Sequence, residues 1–373
     1  MIHVVLDTNI YRNNPDRTSL NFKAIEKLAN AGLVKLHIPY IVEREFQTQQ
    51  REIYSKDLTK ALSGLSGLSR KQLSQDVLEK VNAIKASLEA ESESILTDAE
   101  IQLIHWANSI NANRYPLCLE QAHDALEAYF QGKPPFKQAK VREDIPDSFV
   151  VQAINKLHVG KHQIHVVADD KKVRDAFSQV DTVFTYKNLP EFIESVVIQN
   201  ELKDLDLLSN LDAIEHAIES FENENNEISS NISNKIGEAI VWKSIEDSSI
   251  PDDNNEAIIN GYDEAEYIEL CFSELAYYGN GLFGIPFSVK IVVGAIYYIF
   301  KSDYYCMDSD REHVPSVSDH NDHYFEAEDE FEIIVKGTAS IAIDRDNIDL
   351  EEFSECVDYD SIAIDEIDSI ELC

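Results

Sequence analysis

No stretch of this 373-residue chain approaches the ~20 apolar residues that a bilayer-spanning helix needs. The first residues run straight into a strand-like segment, without the basic and apolar regions of a signal peptide. Cysteine is scarce: five, odd in number and never in CxxC spacing, which excludes a disulfide framework or a thiolate zinc site. These absences predict a cytoplasmic chain with reduced thiols and no membrane partner. Positive charge is also short, with 32 Lys+Arg against 69 Asp+Glu and a net charge of -37. The deficit is local. Residues 201–373 hold 43 acidic and 8 basic residues, whereas residues 1–200 hold 26 and 24. A polyanion would be repelled by the second part and must be met by the first. A hydrophobic fraction of 44% excludes wholesale disorder, and the length fits two domains.

The first part alternates strand and helix signals, as a parallel α/β sheet does. Ile2-His3-Val4-Val5-Leu6 is a continuous apolar run, expected for a strand buried on both faces. Ser19 to Ala31 has helical spacing and ends at Gly32, a C-cap residue. Val34 to Ile38 is a second strand, closed by Pro39. From Glu43 to Ser109 the pattern is helical and free of proline, with a break expected at Ser63 to Leu68, where two glycines fall. A helix over Gln121 to Phe130 is stopped by Gly132-Lys133-Pro134-Pro135. A helix from Asp147, a strand at 164–168, a short helix at Arg174 to Phe177 and a strand at Thr182 to Phe184 complete the series.

Four acidic residues fall at the ends of these runs. Asp7 ends the first strand, Asp170 follows His165-Val166-Val167, Glu45 lies in a helix start after Pro39, and Asp147 opens a helix. In a parallel sheet such positions share the carboxyl edge, where open α/β sheets place ligand sites. Clustered carboxylates raise one another's pKa unless a cation shares them. Hard oxygen donors suit Mg²⁺ or Mn²⁺ rather than zinc, which points to metal-dependent phosphodiester chemistry. Asp7 also reads as a turn residue, Asp147 or Asp144 as a helix cap, and Glu43 competes with Glu45.

The segments Val-Val-Leu-Asp7-Thr8-Asn9, Ile-Pro-Tyr-Ile-Val-Glu-Arg-Glu45-Phe, Asp144-Ile-Pro-Asp147-Ser-Phe-Val-Val and Val-Val-Ala-Asp169-Asp170-Lys resemble the four motifs of PIN-domain nucleases. The resemblance covers roughly residues 1–190 and is closest to larger bacterial PIN-like proteins. It implies an α/β nuclease, chiefly an endoribonuclease, with Asp7, Glu45, Asp147 and Asp170 holding Mg²⁺ or Mn²⁺ and Asn9 orienting a ligand or metal-bound water. Lys133, Lys137, Lys140 and Arg142, with Lys171, Lys172 and Arg174, would position the phosphate, or else form ordinary solvated faces. RNA is the implied partner, with single-stranded DNA the alternative. A flap-type DNA nuclease and a silent PIN fold that binds RNA are the competing readings. Two departures stand out: Ala168 occupies a position where the family carries Ser or Thr, and Asp169 adjoins Asp170, with motif register favouring Asp170. The long helical segment at about 50–110 exceeds a minimal PIN domain.

The expected fold is therefore a PIN-like parallel sheet flanked by helices over 1–200, with a long helical insertion. A helix from Leu202 to Phe221 and a polar linker, together 201–235, lead to a smaller acidic β-rich (α+β) domain at 236–373. In that domain Ser288–Tyr305, Glu330–Asp344 and Ser361–Leu372 alternate apolar and polar residues, as half-buried antiparallel strands do. Its charge suits a protein partner, or an intramolecular contact that mimics the substrate's phosphates. Asp319, His320, Asp322 and His323 fit no known ligand spacing and read as a loop between strands. Tyr277 to Gly284 lacks the Lys and Ser/Thr of a P-loop and reads as a turn.

Overall fold

The computed structural model describes residues 1–158, 163–206, 211–306, 315–344 and 353–373. They fall into two compact units, Met1–Ser195 and Val196–Cys373. Among the described residues no helix is long and apolar enough to cross a membrane.

The first unit runs β1 (Ile2–Leu6), α1 (Thr8–Asn13), α2 (Leu20–Asn30), β2 (Val34–Pro39), α3 (Tyr40–Ser69), α4 (Gln75–Ser109), β3 (Asn113–Tyr115) and α5 (Leu119–Gln131). It continues with α6 (Ile145–His158), β4 (Ile164–Val167), α7 (Lys171–Asp175), β5 (Val183–Tyr186) and α8 (Leu189–Ile193). The sheet order is β3-β2-β1-β4-β5 and every pairing is parallel. Val4, Val5, Leu6 and all of β4 are buried because helices cover both faces. Strand order reverses between β1 and β4, so the crevice at their carboxyl ends is the sheet's switch point. Gly32 and Gly132 take left-handed φ values of 75° and 68° after α2 and α5.

The break expected at Ser63–Leu68 lies instead at residues 70–74, because α3 runs through Gly64 and Gly67. Hydroxyls of Ser66 and Ser69 donate back to the Leu62 and Leu65 carbonyls, so their polar groups are satisfied within the helix. The sequence reading also missed α1, β3 and α8.

The second unit opens with α9 (Val196–Asp206), α10 (Leu211–Asn225) and α11 (Glu227–Ile240). The helix expected from Leu202 to Phe221 is thus divided, and its residues 207–210 lie outside the described ones. The polar stretch 222–235, expected as a linker, is mostly helix. Ile228, Ile232, Ile236 and Ile240 recur every fourth residue and bury one stripe of α11. Glu222 accepts from the Ile228 and Ser229 amides, so the start of α11 is capped from the helix before it.

An eight-stranded antiparallel sheet follows: β6 (Ser244–Glu246), β7 (Glu256–Tyr262), β8 (Tyr267–Leu270), β9 (Ala276–Gly279), β10 (Leu282–Phe300), β11 (Ser316–Asp319), β12 (Tyr324–Ile343) and β13 (Val357–Leu372). Short helices α12 (Lys301–Cys306) and α13 (Phe353–Cys356) interrupt it. Strand β12 pairs with β10 along its whole length and takes β11 and β13 on its other edge. The other edge of β10 takes β9, β8 and β7 in turn. Asn280-Gly281, both at positive φ, make the tight turn from β9 to β10. Residues 320–323 form the connection from β11 to β12.

Gly337 of β12 sits where the ladder to β13 shifts register. A Cβ there would lie 2.3 Å from the Glu366 carbonyl oxygen and 3.0 Å from the Phe287 ring. Backbone cannot swing aside as a side-chain end does, so Gly337→Ala is expected to destabilise the second unit by roughly 2 kcal/mol or more. Thermal unfolding measures this; an unchanged midpoint would show that the ladder yields.

Candidate active site

Four acidic residues from four elements surround the switch point, near enough for the charges of Glu45, Asp147 and Asp170 to act on Asp7. Asp7 is the first residue past β1, and its amide donates to the Val167 carbonyl of β4 at 2.9 Å, which joins the two strand ends. It precedes α1 in extended conformation, yet its side chain makes no capping hydrogen bond. It is 7% exposed. Burial, then the charges of Glu45, Asp147 and Asp170, push its carboxyl up to about 7; the Thr8 amide offsets this only in part.

Glu45 lies in the second turn of α3 and accepts a 2.7 Å hydrogen bond from the buried Thr8 hydroxyl. Burial raises its pKa, and the Thr8 bond opposes the rise. Its rival Glu43 is engaged elsewhere, taking a bidentate bond from Arg114 of β3 at 2.6 and 2.8 Å. Asp147 lies in the first turn of α6, half-buried. Its pKa rises to about 6 through burial, then through the charges of Asp170 and Asp144, with Lys172 pulling the other way.

Asp170 is half-buried and caps α7, accepting from the Lys172 amide at 2.6 Å through one oxygen. Its neighbour Asp169 is exposed. Asp144 is buried and forms a 2.5 Å ion pair with the Lys172 ammonium. Lys172 thereby holds one positive charge beside the cluster, and Asp144 is committed to it.

The other expected residues divide. Arg174 donates to the Ala168 and Asp169 carbonyls at 2.5 and 2.6 Å, tying down the loop between β4 and α7. Ala168 is fully buried, so the hydroxyl that the family carries there would face packed surroundings. Lys133, Lys137, Lys140, Arg142 and Lys171 are exposed, and none bonds to a cluster carboxylate among the described residues. Asn9 is half-buried on α1. Thr8 and Arg114 were not foreseen; Thr8 stood in the first motif and was legible as a neighbour of Asp7, whereas Arg114 carried no signal.

Among the described residues no three His, Cys, Asp or Glu side chains stand close enough to enclose a metal ion. The fit to a divalent cation is one of donor chemistry. Burial and then neighbouring carboxylates raise Asp7 and Asp147, Asp7 has no side-chain cap, and Lys172 beside them is already paired with Asp144. A hard divalent ion satisfies such oxygens better than a neutral surrounding does.

Residues 4–173 match the sequence family described as the PIN domain. No curated protein and no solved structure matches the chain.

Proposed function

We propose that the PIN domain at residues 4–173 is a metal-dependent nuclease that hydrolyses phosphodiester bonds of RNA. The observation that carries the proposal is the burial of Asp7 at the joined ends of β1 and β4, within electrostatic reach of three carboxylates that arrive from α3, α6 and the β4–α7 loop. Four separate elements converge on one acidic point, which folding alone has no reason to arrange.

In this reading Asp7, Glu45, Asp147 and Asp170 hold Mg²⁺ or Mn²⁺. An ion held there would supply Lewis acidity, activating a water and offsetting charge on the phosphate. Thr8 fixes the rotamer of Glu45 through its hydroxyl. Asp144 positions Lys172 at the rim, where the ammonium also moderates repulsion among the carboxylates. The exposed Lys171, Lys133 and Arg142 meet the flanking phosphates as a diffuse field rather than through fixed contacts. The acidic unit 196–373 contributes none of these side chains and serves as a module for a protein partner.

Labelled single-stranded RNA and matched DNA, incubated with Mn²⁺, Mg²⁺ or EDTA, test the proposal. Expected is metal-dependent cutting of RNA that Asp147→Asn lowers by on the order of a thousandfold, the several kcal/mol that a metal-held charge supplies. Cutting of DNA alone would move the substrate to the flap-type reading. Binding of RNA without cutting under any metal would make the domain a silent scaffold and sink the enzymatic reading.

A further inference from the structure

From Val292 to Phe300 strand β10 has two faces of different character. Val293, Ala295, Tyr297 and Ile299 are buried on one of them. Val292, Ile296, Tyr298 and Phe300 lie on the other, with Gly294 between the first two. Tyr298 is 40% exposed and Phe300 37%; Ile258, directly opposite Ile296 on β7, is 39% exposed. An apolar stripe about 27 Å long is thus open to solvent in the full chain.

Carboxylates border the stripe on both sides. Glu326, Glu328, Glu330 and Glu332 alternate along β12, directly opposite Tyr298, Ile296, Gly294 and Val292. On the other side Glu256 lies two residues before Ile258 on β7 and directly opposite Glu246 of β6. Like charges so placed destabilise a sheet. The ammonium groups on this face, Lys290 and Lys336, are already paired with Glu332 and Glu371. Glu326 and Glu328 accept from neutral donors, the Tyr298 hydroxyl at 3.3 Å and the Asn260 side-chain amide at 3.2 Å. Among the described residues Glu246, Glu256 and Glu330 stand in no ion pair.

Stripe and borders together select the occupant. The borders repel RNA, DNA, an anionic membrane and a second copy of the same face. A metal ion or a polyamine would satisfy the carboxylates and leave the stripe in water. A helix with one apolar stripe and Lys or Arg along both flanks satisfies both. The dimensions agree. The acidic rows of β12 and β7 stand two strand spacings apart, about 10 Å, which is the diameter of a helix. The length of the stripe corresponds to about 18 helical residues.

We propose that this face of the second unit docks a basic amphipathic helix of a partner protein. The helix lies along β10, with its cationic flanks over the carboxylates of β12 on one side and of β6 and β7 on the other. This role rests on reading the second unit as a partner module, and it is independent of whether the first unit cuts RNA.

Fluorescence anisotropy with the full chain, at physiological salt, tests this. The probe is a labelled helical peptide of about 18 residues, with one leucine stripe between two rows of lysine. The same residues in scrambled order, without the stripe, are the comparison. The ordered peptide is expected to bind roughly tenfold more tightly than the scrambled one. Glu328→Lys with Glu330→Lys should weaken it roughly tenfold or more, and so should Ile258→Ser with Tyr298→Ser. Glu224→Lys with Glu238→Lys, an equal change of charge on α10 and α11, should weaken it less than about twofold. All six side chains are exposed, so circular dichroism of the three variants should match the wild type. Equal binding of the two peptides, or equal weakening by the changes on α10 and α11, would reduce the face to general attraction and overturn the proposal. Binding that survives both variants of the face would keep the module and overturn this site on it. No binding at all would overturn both.

Discussion

In EDTA at pH 8, Asp7→Asn is expected to unfold at a higher temperature than the wild type. The Asp7 carboxyl sits near pKa 7 in the fold, against 3.8 in the unfolded chain. The folded state therefore binds a proton more tightly than the unfolded one, and stability falls as pH rises from about 4 to 7. Above that window the ionised, buried carboxylate is a standing penalty of about 4 kcal/mol, three pH units at ~1.36 kcal/mol each. Asparagine has nearly the same shape and no charge, so it removes most of that penalty. Below pH 4 both residues are neutral and the two proteins should melt together. Thermal melts at pH 4, 6 and 8 measure the difference. A variant that is less stable than the wild type at pH 8 would mean that Asp7 is held by favourable contacts, and that its elevation is not stored strain.

The candidate site was legible in sequence chiefly through where its carboxylates fall along the elements. Asp7 and Asp170 follow continuous apolar runs that read as buried parallel strands, which places both at the carboxyl edge of the sheet. Asp147 and Glu45 were readable because each lies within the first two turns of a helix that starts near the same sheet edge. What could not be read was the choice between neighbours. Glu43 and Glu45 differ by two positions in one helix, and only Arg114, 71 residues away, decides which of them is engaged elsewhere. Lys172 was one of several basic residues until Asp144, 28 residues before it, drew it to the rim.

The fold shows the same division between local and distant causes. The four-residue recurrence of isoleucine in α11 was present in the sequence, but its first members lie in a stretch so polar that composition outweighed spacing. The glycines of α3 are local breakers, and a Cβ at either would meet open space. They are tolerated because the rest of a 30-residue helix propagates through them. Strand β3 has three residues and exists only because β2 offers an edge to pair with. Such elements belong to the tertiary structure rather than to their own sequence.

Mn²⁺ should raise the midpoint of thermal unfolding of the wild type by roughly 5–10 °C at pH 8, and by far less at pH 5. Binding at a hundredfold excess over the dissociation constant contributes about 2.7 kcal/mol. For a unit of this size each kcal/mol shifts the midpoint by about 2–4 °C. The pH dependence follows from the same carboxyls. With Asp7 raised to about 7 and Asp147 to about 6, an ion arriving at pH 5 must displace a proton from each, whereas at pH 8 it finds both ionised. Its apparent affinity should therefore fall by up to a hundredfold per pH unit at the acid end, the limit for two displaced protons. Asp147→Asn removes one of those protons along with one ligand, so its binding should be both weaker and less steep in pH. A midpoint that rises equally at pH 5 and pH 8 would place the ion on the acidic second unit instead. There 43 carboxyl-bearing residues over 201–373, several of them exposed, offer weak sites away from the switch point. The steepness with pH thus separates an ion held at the switch point from one merely attracted to the charge of the chain.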